Sequence, residues 1–262
     1  MIFLHIIIGL LLLAAVVAGV VICAVCGYGF LLLRKRPLRA LYEARAADED
    51  FCPLASIPQQ MIRYFLLVED EKFYEHRGYV PEAIRDAFRM NLKQGEIITG
   101  GSTITQQLVK NLYFDFRKSY WRKLVELFLA VVAERQLGKD RILEFYFNII
   151  YFGVGIYGIT DAVDFYFQKK ISDLTTNQMF ILACMPYAPT KGNPVRQPEV
   201  FERIRNQRLD YWVDRHRISD EEAGIIRSFD AAHLDDELRS ADAYTENYSR
   251  EVVLTNERFG PF

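Results

Sequence analysis

Residues Ile2 to Leu33 form an apolar run interrupted only by His5. A helix needs about 20 such residues to cross roughly 30 Å of hydrocarbon. The apolar core of a cleaved signal peptide spans only about 7–15 residues and follows a basic leader that is missing here, so residues 1–33 are expected to form a transmembrane anchor. Charged residues then dominate 34–50, a stretch that predicts a linker. From Phe51 the period changes. In "RKLVELFLAVVAERQL", Leu124, Leu127, Phe128, Val131 and Val132 recur at helical spacing with charges at both ends. "KDRILEFYFNIIYF" and "TTNQMFILACM" are further apolar helical runs, while strand-like alternation is scarce and no repeat period appears. The pattern therefore predicts a mainly α domain over 51–215. Pro186, Pro189, Pro194 and Pro198 mark an irregular segment before a last basic helix, Glu199 to Arg217. Residues 216–262 form a tail richer in acids than bases, with one expected helix near Ser219–Phe229.

Composition changes this picture little. Hydrophobic residues make up 51% of the chain, a figure inflated by the anchor. The net charge of -2 argues against a nucleic-acid partner held by bulk electrostatics. Of the four cysteines, Cys23 and Cys26 lie in the anchor and only Cys52 and Cys184 lie beyond it, with no CxxC or His/Cys spacing for zinc. Orientation is a point of conflict. The basic run Arg34 to Arg39, "RKRPLR", favours a cytoplasmic flank, but long following domains translocate largely regardless of such charge.

Four stretches carry candidate chemistry. "EDEKFYEHRG", Glu69 to Gly78, places three acids before two aromatics and a His, either as a solvated helix end or as a held carboxylate. In "GGSTITQQLVKNLY", Thr103 and Gln106 read as a capping box behind Gly100 and Gly101, and exposed amides at such a helix start favour an anion. Gln106 and Lys110 share a face of this helix, with Thr103, Gln107 and Lys110 along a neighbouring line. The bare pattern fits an ordinary capped helix as well, and it lacks the Gly-Lys-Ser/Thr ending of a P-loop. In "RKLVE", Arg122 and Glu126 are i,i+4 neighbours, for which a solvated ion pair is the plain reading. In "KDRILEFYFN", Lys139, Glu144 and Asn148 suit structural roles.

These motifs, in this order and followed by "GIYGITDAVDFYFQK", resemble the family 51 glycosyltransferases. That family comprises monofunctional peptidoglycan transglycosylases and the polymerase domain of class A penicillin-binding proteins. The resemblance covers about Phe51 to Arg215, and "GGSTITQQLVKN" is its most specific part. It implies a lysozyme-like helical domain with a small membrane-associated jaw subdomain. It also implies polymerisation of lipid II into β-1,4-linked glycan on the outer face of the bacterial cytoplasmic membrane, with release of polyprenyl pyrophosphate. The growing glycan-lipid chain and the membrane are implied partners, and other cell-wall synthesis proteins are further candidates. The catalytic Glu that opens the first motif carries over to Glu69, and the second Glu to Glu126. The implied substrate contacts are Ser102, Thr103, Gln106, Gln107, Lys110, Arg122 and Lys123. The chain departs from the family pattern at Asp161 and Asp164, where small or basic residues are common, and at Gly192, where an aromatic is frequent.

On this reading Glu69 takes the proton from a sugar hydroxyl that is a poor nucleophile by itself. Asp70 and Glu71 are expected to raise its pKa by like-charge repulsion, with Phe73 and His76 on the same helical face and His76 a local hydrogen-bonder. Lys110, Arg122 and Lys123 are expected to stabilise the leaving pyrophosphate. No tightly bound cofactor and no metal ligand is expected, although assistance by a divalent cation (Mg2+ or Mn2+) stays open. The alternative is a membrane-anchored muramidase or lytic transglycosylase, which would also use two carboxylates. With neither Ser-x-x-Lys nor Lys-Thr-Gly, penicillin-type acyl-enzyme chemistry is not expected of this chain.

Overall fold

The protein is described from a computed structural model covering residues 2–86, 101–114, 119–153, 155–186 and 198–228. Gly100, the Pro-rich segment 187–197 with Gly192, and the tail from 229 to 262 lie outside the described residues.

Helix α1, Ile2–Lys35, holds the apolar run expected to span the membrane. At 1.5 Å per residue it is about 50 Å long, more than a bilayer core requires. Its two ends have different surroundings. Residues 2–22 expose their apolar side chains, whereas Val25 and Gly29 are buried against the domain. A Cβ at Gly29 would stand 2.4 Å from the Phe128 ring, so the missing side chain is what lets α1 approach.

The stretch expected to be a linker is built into the domain instead. Pro37 opens helix α2, Leu38–Ala46, and Leu38 is 1% exposed. Arg45, itself buried, reaches both carboxylate oxygens of Asp50 at 2.8 Å and donates from Nε to the Asn148 carbonyl. Charged residues mark this segment in the sequence because its charges pair with one another and with the domain. Glu144 and Asn148 have the structural roles expected of them. Glu144 accepts from the Tyr42 hydroxyl and from the Leu54 amide at 2.7 Å, and Asn148 exchanges two 2.8 Å bonds with the Cys52 backbone.

The domain itself is mainly α, as the periodicity predicts. It contains α3 (Gln59–Glu69), α4 (Ile104–Tyr113), α5 (Tyr120–Leu137), α6 (Lys139–Ile149), α7 (Ile159–Phe167), α8 (Thr176–Cys184), α9 (Pro198–Asp214) and α10 (Asp220–Arg227). Residues 81–86 are helical as well. The run read as one helix through Phe152 ends at Ile149, and Tyr151–Gly153 (β1) pairs antiparallel with Ile156–Tyr157 (β2).

Aromatic side chains fill the core. Phe65 on α3 meets Phe147 on α6 at 4.7 Å, and Tyr64 meets Phe180 on α8 at 5.3 Å, both edge to face. Helix α3 lies along α8, and α4 packs on both α5 and α6. Ser219 caps α10 at its expected place, and Glu222 on that helix binds the Tyr64 hydroxyl and Arg63. With Ala223 and Ile226 buried, the first part of the expected tail, through residue 228, is packed onto the domain.

Candidate active site

Glu69 is the last residue of α3, and the chain leaves the helix at Asp70 with φ −162° and ψ 74°. Phe73 and His76 therefore follow in turns and do not continue a helical face, as the sequence suggested they would. Burial raises the Glu69 pKa to about 7, against the opposing hydrogen bond from Gln107 and the charges of Arg208 and Lys110. The negative end of the α3 dipole disfavours the ionised form further. Neighbouring acids contribute least. Asp70 is the smallest of the influences on Glu69, and Glu71 points away to Arg217 at 2.6 Å. The carboxylate's Oε2 accepts from Gln107 Nε2 at 2.7 Å, while its buried Oε1 meets no hydrogen-bond partner among the described residues.

Asp70 has a structural task. Its Oδ2 accepts from the Ile104 amide and from His76 Nε2, each at 2.9 Å. His76 Nδ1 accepts from the Gly78 amide at 3.0 Å, so the ring's proton sits on Nε2 and the His is a local hydrogen-bonder as expected. Through these bonds the turn after Glu69 grips the start of α4.

That start is the capping box expected from sequence. Thr103 Oγ1 accepts from the Gln106 amide and Gln106 Oε1 accepts from the Thr103 amide, each at 3.1 Å. Thr103 Oγ1 also donates to the Gly78 carbonyl at 2.7 Å. Gly101, at φ +94°, precedes the cap where a side chain would meet the Ala83 carbonyl at 3.1 Å. Thr103 and Gln106 are thus buried parts of the helix start, with Gln106 Nε2 still unbonded among the described residues. Gln107 and Lys110 follow on the side that meets Glu69.

Helix α5 supplies the other half. Glu126 is 1% exposed, with Arg122 Nε 2.8 Å from its Oε1 and Lys123 Nζ 3.1 Å from its Oε2. The pair is not the solvated one that spacing alone suggests, because the Glu126 carboxylate faces inward. Lys123 also donates to Ser102 Oγ at 2.8 Å, tying α5 to the turn before α4. Lys110 lies within the influence of both acids. Burial lowers its pKa, Arg122 and Lys123 lower it further, and Glu126 and Glu69 oppose the fall. Lys139 stands elsewhere, bonded to Glu134 at 2.7 Å and stacked over the Phe73 ring.

The structure thus gathers Glu69, Gln107, Lys110, Ser102, Lys123, Arg122 and Glu126 into one linked set. Two residues that sequence reasoning missed also face Glu69: Tyr146 on α6 and Arg208 on α9. Tyr146 lies inside the "KDRILEFYFN" stretch, where the sequence draws attention to Lys139, Glu144 and Asn148 instead, and only packing brings the two residues to Glu69. Among the described residues, no group of three or more His, Cys, Asp or Glu is placed to hold a metal ion.

A helical domain with one buried acid poised near neutrality and a second held by cations has groups suited to acid–base chemistry at glycosidic bonds. Residues 35–213 match the family model described as Transglycosylase, and the chain belongs to this transglycosylase family. The match begins at the end of α1 and includes α2, in keeping with the packing of that helix. The chain is 40% identical to penicillin-binding protein 1F of Bacillus subtilis and 38% identical to penicillin-binding protein 1A of Escherichia coli, over 64% and 67% of its own length. It spans 23% and 21% of those two proteins. A provisionally named transglycosylase of Cupriavidus necator is 37% identical over 78% of this chain and 86% of its own length. The lysozyme-like helical architecture implied by the motifs is the one this family shares.

Proposed function

We propose that the protein is a peptidoglycan glycosyltransferase that polymerises lipid II into β-1,4-linked strands and releases polyprenyl pyrophosphate. The observation that carries this reading is the pairing of Glu69, whose burial raises its pKa to about 7, with a cationic cluster of Lys110, Arg122 and Lys123 around Glu126. A general base is most effective when its pKa lies near the working pH. Glu69, turned toward the acceptor sugar, takes the hydroxyl proton as the oxygen attacks the donor's anomeric carbon. The bond from that carbon to the pyrophosphate breaks as the new glycosidic bond forms on the opposite face. Negative charge then grows on the leaving oxygens, where the three cations stabilise it; the amides at the α4 start, expected from sequence to share this task, are already taken by the capping box and by Asp70. The Glu126 carboxylate orients Arg122 and Lys123 and keeps their side chains from collapsing elsewhere.

Hydrolysis by a muramidase would also be served by an acid near pH 7, but cleavage of a neutral glycan develops no anionic leaving group for three cations to meet. The substrate arrives on a polyprenyl chain, so the reading also places α1 in the cytoplasmic membrane with the domain outside. Purified protein in detergent, given lipid II, is expected to make glycan polymer, and Glu69→Gln is expected to lose about 10²–10⁴-fold in rate. Polymerisation by folded Glu69→Gln within a few-fold of the parent protein, or shortening of finished glycan without polymerisation of lipid II, overturns the reading.

A further inference from the structure

Tyr146 lies on α6, within the "KDRILEFYFN" stretch, with its side chain fully buried. Its hydroxyl donates to Gln107 Oε1 across 3.5 Å, and the same amide donates from Nε2 to Glu69 Oε2 at 2.7 Å. A glutamine amide has one accepting end and one donating end. With Nε2 toward Glu69 it stabilises the ionised carboxylate. Turned over, Oε1 would face Glu69, repel the carboxylate and accept a hydrogen bond from the protonated acid. The two orientations thus favour opposite protonation states, and what touches the far end of the amide decides between them.

We propose that Tyr146 is a positioning residue that locks the Gln107 amide in the orientation favouring ionised Glu69, and so sets the pH at which the base becomes competent. The inference rests on Glu69 acting as the base. A phenol can accept as well as donate, but the Gln107 oxygen is the acceptor its buried proton meets among the described residues, so turning the amide would strand that proton. Burial, with Glu69 and Asp70 nearby, holds the Tyr146 pKa well above its ordinary value, so the proton stays in place across the working range. Among the described residues, the other titratable groups that act on Glu69 are Lys110 on α4, Arg208 on α9, Cys184 on α8 and the adjoining Asp70, whose carboxylate is turned to Ile104 and His76. The cations favour the ionised form whichever way the amide points, and the buried Cys184 thiol, pushed up to about 12, stays neutral.

The test is Tyr146→Phe in the full-length protein in detergent, read in two ways. First, the Glu69 carboxyl is titrated by 13C NMR, with Glu69→Gln assigning its signal. Loss of the amide lock is expected to raise its titration midpoint by about half to one pH unit. Second, the rate of lipid II polymerisation is followed against pH. Tyr146→Phe is expected to lose about three- to tenfold below the acid limb and to match the parent at high pH, where Glu69 is ionised in both. Gln107→Leu removes the amide altogether, and adding Tyr146→Phe to it is expected to leave the midpoint where Gln107→Leu put it. An unchanged midpoint in Tyr146→Phe, or a rate deficit equal at every pH, overturns the proposal. Failure of Glu69 as the base shows separately, as polymerisation by Glu69→Gln, while the NMR midpoint still reports on the amide.

Discussion

Asp70 is the joint between the two halves of the site, and Asp70→Ala is the perturbation that tests it. Its Oδ2 accepts the Ile104 amide at the first turn of α4 and the His76 Nε2 proton, and Asp70 is 8% exposed. Ile104 is fully buried, so removing the acceptor leaves its amide with neither protein nor bulk water to bond. A stranded buried donor costs about 1–3 kcal/mol, and loss of the charged acceptor from His76 adds about 1.5–3 kcal/mol. The total of about 3–6 kcal/mol corresponds to a fall in Tm of roughly 6–24 °C for a domain of this size. Asp70→Asn keeps one oxygen able to accept both bonds, so it is expected to lose less than half as much. The assay is thermal unfolding in detergent micelles followed by circular dichroism, with polymerisation measured below both midpoints. Because Gln107 and Lys110 ride on the helix that Asp70 grips, Asp70→Ala is also expected to lose activity at temperatures where it is folded; a misplacement of about 1 Å can cost on the order of 10²-fold. A fall in Tm of less than about 2 °C for Asp70→Ala, or equal falls for the Ala and Asn variants, would refute the assignment of Asp70 as the joint.

Gly29→Leu puts a side chain into the Phe128 ring and is expected to destabilise the anchor–domain contact by about 1–3 kcal/mol. Gly27→Leu, with open space around it, should be neutral, and a thermal shift equal for the two variants would contradict the packing described for α1. Lys110→Ala is expected to fold and to lose turnover, whereas Lys139→Ala removes the partner of Glu134 and is expected to lower Tm first. Lipid II turnover at a permissive temperature separates the two, and equal loss in both would end the special role of Lys110. A reporter active only in the cytoplasm, fused after Phe262, should stay silent in an intact membrane-inserted fusion, and a strong signal would reverse the topology and remove the substrate.

Much of this protein is written locally. The apolar length of α1, the helical period of α5 and the capping box at Thr103 and Gln106 depend on neighbours within a few residues, so a linear reading finds them. The order of the motifs also points to Glu69 and Glu126, because the family repeats them at matching places. Charge by itself misleads at 34–50. Arg45 and Asp50 look like a solvated linker until their bonds to each other, and that of Arg45 to the Asn148 carbonyl 103 residues away, are known.

The proton affinity of Glu69 belongs to the same category. Sequence proximity points to Asp70 and Glu71 as its causes, yet those side chains turn to Ile104, His76 and Arg217 when α3 ends at Glu69. Burial does the work instead, with Gln107 from α4, Tyr146 from α6 and Arg208 from α9 as its surroundings. Helix positions, caps and the identity of the two acids were determined by the sequence, because short-range geometry decides them. Which acid is poised near neutrality, and what holds it there, was decided only by the tertiary structure. Desolvation and hydrogen-bond direction depend on residues that folding alone brings within reach.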